Sequence, residues 1–174
     1  FGDWQICFQT YIDLYQLNPA EFKVARAKEV MGYQVKSGRN DYWWWADGLY
    51  MVMPVMVKMY KITGDPVYLD KLYSWFTYAN SIMYDSTEHI YFRDARYVYP
   101  RHSTATGKKD FWARGNGWVF AGLAKVLQDL PVTDPHREEY MQTFRQMAET
   151  LKQYQQPEGY WTRSIMDNAQ APGY

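Results

Sequence analysis

The segment "WADGLYMVMPVMVKMYKI", residues 45–62, decides the fold. Its only charged residues are Asp47, Lys58 and Lys61, so the pattern predicts a helix that is apolar on nearly every side and therefore buried. After "TGDP", residues 66–83 repeat apolar side chains at helical spacing with polar residues between them, which is typical of an amphipathic surface helix. The sequence thus predicts a hairpin of one inner and one outer helix, with a kink in the inner helix at Pro54.

The same pattern occurs twice more along the chain. An apolar segment at 118–130 precedes an amphipathic segment at about 135–155, and an apolar segment at 3–17 precedes a charged helix at 20–35. A proline is expected at the first position of each outer helix, where its missing N–H would have had no partner: Pro19, Pro66 and Pro135.

Three such hairpins predict an all-α fold. Hairpins that pack side by side with their apolar helices inside form an (α/α) toroid, and three hairpins make about half of a closed ring. We therefore expect residues 1–174 to be part of a single-domain barrel. Its open edge would be covered by the remainder of a longer protein or by a partner such as a second copy. The connections from each outer helix to the next inner helix are long and aromatic, and such loops commonly carry binding and catalysis.

The composition excludes several classes of protein. The chain has 19 basic and 19 acidic residues and no basic cluster, so a nucleic-acid partner is not expected. No apolar run is long and uncharged enough to span a membrane. A single cysteine, Cys7, excludes an internal disulfide framework and leaves the compartment open between bacterial periplasm and cytoplasm. The 17 tyrosines and 8 tryptophans suit core packing, and they also suit stacking on sugar rings in a cleft.

Two aspartates are expected at one rim of the array. Asp47 falls in the first turn of the second inner helix, and Asp94 falls in "YFRDARY", the connection to the third. Neighbouring carboxylates in an aromatic site suit acid and base chemistry on a glycoside, because burial and a nearby charge raise one pKa. The alternative is structural: an acid in a first turn favours the helix dipole, and Arg93 or Arg96 can hold Asp94 in a loop salt bridge.

A third rim segment is "DFWARGNGWVF", residues 110–120. Arg114 offers a planar fork for a carboxylate, and Trp112 and Trp118 offer stacking faces. Gly115 and Gly117 would allow unusual backbone angles or close approach of a ligand. The equally weighted alternative is a helix-entry loop in which the glycines serve the turn.

Five segments in this order resemble the unsaturated rhamnogalacturonyl hydrolases of glycoside hydrolase family 105, which are related to the unsaturated glucuronyl hydrolases of family 88. The segments are "WWWADGLYMVMPV", "TGDPVYLD", "YFRDARY", "KKDFWARGNGWVFAGLAKVL" and "QQPEGYWTRS". The resemblance implies an (α/α)6 barrel with twice the hairpins found here. It also implies removal of the 4,5-unsaturated uronic acid that polysaccharide lyases leave at the non-reducing end of an oligosaccharide. In that reaction an acid protonates C4 of the enol ether, water adds at C5 and the hemiketal opens, so neither a nucleophile nor a cofactor is required.

The resemblance also assigns roles to residues. It makes Asp94 the general acid and base, and it makes Asp47 the residue that assists. Arg114 and Trp118 match a motif that contacts the unsaturated sugar, with Arg114 expected on its carboxylate. Trp44 and Trp45 would shape the pocket wall.

Other expectations concern the histidines and the substrate class. His102 is a candidate to stand in for a pocket histidine that some members carry in a longer insertion. His89 and His136 have no companions at metal-ligand spacing, so no metal is expected. Two alternatives stay open: an unsaturated glucuronyl hydrolase that acts on other polysaccharide fragments, and a non-catalytic helical carbohydrate-binding module.

Overall fold

Helices form almost all of the computed structural model, which describes residues 2–169. Within that part of the chain the α-helices are α1 (Gly2–Gln5), α2 (Cys7–Leu17), α3 (Ala25–Lys36), α4 (Ala46–Thr63), α5 (Val67–Met83), α6 (Ala113–Asp129) and α7 (Arg137–Gln153). Two short antiparallel strands, β1 (Tyr84–Asp85) and β2 (Ile90–Tyr91), follow α5, and 3-10 turns cover Glu21–Lys23 and Ala95–Tyr97.

The three predicted hairpins are confirmed. The inner helices are α1 with α2, α4, and α6, and the outer helices that follow them are α3, α5 and α7. The central helix α4 packs against α1, α2, α5 and α6. Its apolar residues from Val52 to Met59 are fully buried, as the nearly uncharged sequence predicts.

Several predicted boundaries are wrong. The third inner helix begins at Ala113, before the apolar segment 118–130 and inside the rim segment 110–120, so the alternative of a helix-entry loop for its glycines is wrong. In the first copy the inner segment is divided at Ile6, and the outer helix begins at Ala25 after a 3-10 turn. Helix α4 runs from Ala46 to Thr63, within one residue of the predicted span at each end, and the kink at Pro54 stays a prediction.

The prolines lie before the outer helices and not at their first position. Pro66 is the residue that precedes α5, Pro135 lies two residues before α7, and Pro19 precedes the 3-10 turn that leads to α3. The turn before Pro66 requires glycine, because Gly64 ends α4 with a positive φ of 72°. The prolines therefore mark the inner-to-outer turns and not the exact helix starts.

Charged residues close the end of the bundle away from Asp47. Lys58, which is 8% exposed, contacts Asp13, and its Nζ atom lies 3.2 Å from an Asp129 carboxylate oxygen. Asp129 also accepts a 2.6 Å hydrogen bond from Lys61. Lys58 lies about 16 Å from Asp47 along the axis of α4, at a rise of about 1.5 Å per residue. This network therefore belongs to the scaffold. None of the helices within residues 2–169 is both long and apolar enough to cross a membrane.

Candidate active site

The first turn of α4 is tied to the loop that carries Asp94. Trp45, the residue before the helix, forms an isolated antiparallel bridge with Asp94. The Ala46 amide donates a 2.9 Å hydrogen bond to the Arg93 carbonyl oxygen. Asp47 is the next residue along α4, so the structure places it at the same rim as Asp94, as the hairpin repeat predicts.

The first turn of α6 repeats this arrangement. Trp112 precedes the helix and bridges Ser164, and the Ala113 amide donates a 2.9 Å hydrogen bond to the Arg163 carbonyl oxygen. The sequence "WARG" at 112–115 is therefore the structural equivalent of "WADG" at 45–48. Arg114 occupies in the third hairpin the position that Asp47 occupies in the second.

The glycine of each four-residue motif makes room for its tryptophan. A Cβ atom on Gly48 would lie 3.1 Å from the Trp45 ring, and one on Gly115 would lie 2.7 Å from the Trp112 ring. The indole can therefore fold over the first helical turn only because the fourth residue is glycine. The prediction of unusual backbone angles at Gly115 and Gly117 is wrong, since both lie inside α6 and neither has a positive φ.

The Asp47 carboxyl is half-buried, and its pKa lies above its ordinary value. Burial is the largest cause, and the charge of Asp3 adds to it. A backbone hydrogen bond and the charges of Arg114 and Arg93 oppose the shift without cancelling it. Asp47 thus holds its proton to higher pH than an exposed aspartate does. The charges of Asp3, Arg93 and Arg114 all act on its carboxyl group.

Sequence reasoning missed Asp3. It lies in the first turn of α1, which is the position that Asp47 takes in α4 and Arg114 takes in α6. The signal was present in the chain, since "GDW" opens the first inner segment as "ADG" and "ARG" open the other two. The start of every inner helix therefore contributes one charged residue to this rim.

Asp94 has the opposite electrostatic character. Its side chain is 2% exposed, and it accepts hydrogen bonds from the Arg96 amide at 2.9 Å and from the Arg96 guanidinium at 3.1 Å to each carboxylate oxygen. The Arg93 guanidinium lies 3.7 Å away. Burial alone would raise the pKa of Asp94, but these hydrogen bonds and charges outweigh burial and lower it.

The two aspartates therefore differ in the direction of their pKa shifts. The sequence left open which of them would have the raised pKa, and in the structure it is Asp47, while the role of general acid and base that the resemblance implies for Asp94 stays a prediction. The structural alternative for Asp94 describes its contacts: the carboxylate caps the 3-10 turn Ala95–Tyr97 and is held by Arg96. A carboxylate so occupied is a poor proton donor.

Arg114 and two aromatic residues form the side of the rim contributed by α6. The Arg114 guanidinium lies over the Trp112 ring at 4.5 Å from its centroid. Trp118, one turn further along α6, is 36% exposed, and its ring centroid lies 4.5 Å from that of Tyr50. A planar cation and an exposed indole therefore stand on one face of α6, as predicted for contact with an anionic sugar.

The tryptophans before α4 differ in accessibility. Trp44 is 39% exposed, whereas Trp45 is 9% exposed and packs 4.9 Å from it, centroid to centroid. Both line a cavity of about 210 Å³ that also borders Gly2 and Gln5. Trp44 can thus offer a stacking face directly, and Trp45 mainly supports it.

His102 is held by a buried carboxylate. Its Nε2 atom lies 2.8 Å from Asp110, which is 2% exposed and also contacts Arg163. Burial opposes ionisation of Asp110, but the hydrogen bonds from Arg163 and His102 lower its pKa. The His102 ring also lies 4.4 Å from the Tyr97 ring, centroid to centroid, while contact of His102 with a sugar stays a prediction. Residues 2–169 bring together no group of three histidine, cysteine, aspartate or glutamate side chains able to hold a metal.

Comparison with known proteins identifies the family. The family model described as Glycosyl Hydrolase Family 88 matches residues 1–174. The chain belongs to Glycosyl Hydrolase Family 88. A relative named unsaturated 3S-rhamnoglycuronyl hydrolase, from Formosa agariphila, is 36% identical over 134 residues, which are 75% of this chain and 36% of that protein. The sequence resemblance named family 105 together with its relative, family 88, and it is confirmed at the level of this group.

Solved structures confirm the toroid. A family 88 hydrolase from Bacteroides vulgatus superposes with a TM-score of 0.97 at 60% identity, over 99% of this chain and 50% of that one. A chain named as a polysaccharide lyase gives a TM-score of 0.97 at 63% identity, over 99% of this chain and 49% of that one. This family 88 chain thus forms about half of a six-hairpin glycosidase fold, and it spans about a third of the Formosa relative.

Proposed function

We propose that the full protein removes a 4,5-unsaturated uronic acid from the non-reducing end of a lyase-generated oligosaccharide, with Asp47 as the proton donor. The position of the half-buried Asp47 in the first turn of α4, at the rim that Arg114 shares, carries the proposal, and its raised pKa supports it, because the reaction begins with transfer of a proton to C4 of an enol ether. A carboxyl group that keeps its proton to higher pH is suited to that step. The name of the Formosa relative supports a rhamnose-linked unsaturated uronate as the substrate class.

The proposed reaction consumes one water and needs no covalent intermediate. Asp47 donates its proton to C4, and the positive charge that develops at C5 is stabilised by the ring oxygen. A water adds its oxygen to C5 and gives up a proton, which restores the acid. The resulting hemiketal opens and releases the rest of the saccharide, so the double bond is lost and no group remains on the enzyme.

The charged neighbours of Asp47 have distinct proposed roles. Arg114 binds the uronate carboxylate, for which its planar fork is suited, and Trp112 and Trp118 form the adjoining aromatic surface. Burial is the main cause of the raised pKa of Asp47, and the negative charge of Asp3 adds to it. Asp94 is a positioning residue that holds the loop joined to Trp45.

The test follows the ultraviolet absorbance of the conjugated double bond in the full-length protein. Wild type should consume the double bond of unsaturated rhamnogalacturonan or rhamnoglucuronan fragments. Asp47→Asn should lose about 10²–10⁴-fold in rate, the usual contribution of general acid–base catalysis. The Asp94→Asn variant is the matched control, and its loss should be much smaller once the folded fraction is taken into account.

Each other outcome would reject a stated part of the proposal. If folded Asp94→Asn is as inactive as Asp47→Asn, the assignment of the proton donor to Asp47 fails. If absorbance increases on an uncut polysaccharide, the protein eliminates as a lyase and the hydration chemistry is wrong. If absorbance is unchanged on every fragment, the carbohydrate-binding module takes precedence.

The pH dependence supplies a separate check. An acid catalyst must be protonated, so the rate should fall as pH rises through the raised pKa of Asp47. Replacing Asp3 by asparagine removes a negative neighbour, which should move that fall to lower pH. A fall that stays at the same pH in Asp3→Asn would contradict the role given to Asp3.

A further inference from the structure

The cavity that Trp44 and Trp45 line lies between the first two hairpins and is partly open to solvent. It has a volume of about 210 Å³ and is bounded by α1, by the end of α3 and by the segment that leads to α4. One water takes up about 30 Å³ of liquid, so the space holds several waters or one small group. Asp47 does not line it, and neither does any residue of α6 or α7.

The floor of this cavity is polar although it is buried. Gln5 is 3% exposed and Gln34 is 7% exposed, and both line the cavity. The Gln5 Nε2 atom has no hydrogen-bond partner within residues 2–169, although buried polar groups are normally paired. Rotation about the last side-chain bond of glutamine is broad, so the Gln5 amide can present either end to a ligand.

The walls are aromatic and fixed in place. Trp43, Trp44 and Trp45 line the cavity together with Tyr42. Rings of Tyr42 and Trp43 each pack edge-on against Trp75, at 5.1 and 5.3 Å between centroids. The Trp75 indole also donates a 2.9 Å hydrogen bond to the carbonyl oxygen of Arg39, which holds the segment against α5. The pocket is therefore formed before a ligand arrives.

The two charged residues that line the cavity, Arg39 and Asp41, neutralise each other. Arg39 donates to both carboxylate oxygens of Asp41, at 2.9 and 3.2 Å. No net charge is left there to select an anion. A neutral group that offers hydroxyls and an apolar face matches buried amides beside indole rings, because amides pair with hydroxyls and rings stack on C–H surfaces.

The cavity also continues outward. A neighbouring depression of about 630 Å³ on the α3 side shares Gln5, Gln34, Arg39 and Tyr42 with it. The two form one cleft with an enclosed aromatic end and an open polar end. Such a shape suits a saccharide chain that inserts one ring and leaves the rest at the surface.

We propose that the cavity lined by Gln5, Gln34 and the tryptophans at 43–45 is a binding site for an uncharged pyranose ring. It adjoins the Asp47 rim through Trp45 and Gly2 without including Asp47. The site is a binding site only, and it does not depend on the hydration chemistry proposed above.

The test is titration of the full-length protein with methyl glycosides of rhamnose, galactose and glucose, and with methyl glucuronide as the charged comparison. Intrinsic tryptophan fluorescence and saturation-transfer NMR report binding. At least one neutral glycoside should bind saturably and more tightly than the glucuronide. Gln5→Met and Gln34→Met keep side-chain length but remove the hydrogen bonds, and each should weaken binding about tenfold. Gln16→Met, at an exposed site on α2, is the matched control and should leave affinity unchanged.

The stability of the variants separates binding from folding. Gln5→Met removes a buried amide group that lacks a partner, so it should unfold at the same or a higher urea concentration while it binds less well. Asp47→Asn should keep the affinity for the neutral glycoside, whatever it does to turnover. The proposal is overturned if no neutral glycoside binds saturably, if both methionine variants bind as wild type does, or if Asp47→Asn abolishes this binding.

Discussion

Adding a methyl group should change the stability of the protein differently at two glycines of α6, Gly117 and Gly122. A Cβ atom at Gly122 would lie 3.0 Å from the Tyr50 Cα atom and 3.3 Å from the Leu49 carbonyl oxygen, which are backbone atoms of α4. A Cβ atom at Gly117 would have no neighbour within 4 Å. The backbones of α4 and α6 therefore touch at Gly122, and this contact fixes the spacing between the helices whose first turns carry the site.

The expected change in the free energy of unfolding is the sum of two effects. Replacing glycine by alanine inside a helix favours folding by about 1 kcal/mol at either position. Overpacking at Gly122 opposes it by about 1–3 kcal/mol, because the contacted atoms are backbone and cannot move aside as a side chain would. Gly117→Ala should therefore be more stable than wild type by up to about 1 kcal/mol. Gly122→Ala should range from neutral to about 2 kcal/mol less stable.

Urea unfolding of the full-length protein measures both free energies, with wild type in parallel. The two variants carry the same chemical change on the same helix, so their difference isolates the interhelical contact. Equal stabilities within about 0.5 kcal/mol, or greater stability of Gly122→Ala, would refute the argument that backbone contact sets this spacing.

Three further predictions concern charges and buried polar groups. Asp47→Asn should raise the melting temperature at pH 7, because a carboxyl whose pKa is raised on folding costs stability once the pH exceeds that pKa. Asp94→Asn should lower the melting temperature at pH 7, because a carboxyl whose pKa is lowered on folding adds stability that is lost only at low pH. Asn116→Ala removes 2.8 Å hydrogen bonds to both the amide and the carbonyl of Tyr91, and urea unfolding should show a loss of about 2–4 kcal/mol. Lys58→Met should lower stability by about 1–3 kcal/mol in a urea titration at neutral pH, because Asp13 loses its cation and Asp129 keeps only Lys61.

The hairpin architecture could be predicted from the sequence because the buried face of each helix determines the spacing of its apolar residues. Residues 45–62 are apolar on all sides and prove to be the central helix, and the amphipathic segment after them proves to be its outer partner. The sequence left the start of α6 open, because glycine lowers helix propensity and Gly115 and Gly117 suit either a helix start or an entry loop. Packing of Trp112 over Gly115 and the α4 contact at Gly122 favour the helix.

The rim was predictable, but the protonation state of its aspartates was not. Sequence position places Asp47 and Asp94 at the same end of the hairpins, and the backbone bridge from Trp45 confirms this. A pKa, in contrast, depends on which hydrogen bonds form. The sequence contains Arg96 two residues after Asp94 but does not show that its guanidinium binds both carboxylate oxygens, and that contact lowers the pKa of Asp94.

The repeat also explains why the charges at this rim are unequal. Helices α4 and α6 begin with the same geometry, and the second residues of α1, α4 and α6 are Asp3, Asp47 and Arg114. Three acids would repel one another and an anionic sugar alike. Two acids beside an arginine suit the proposed function, because one carboxyl can keep a proton while the cation attracts a carboxylate ligand. On that proposal, arginine at one of the three repeat positions gives the rim separate places for a proton and for an anion.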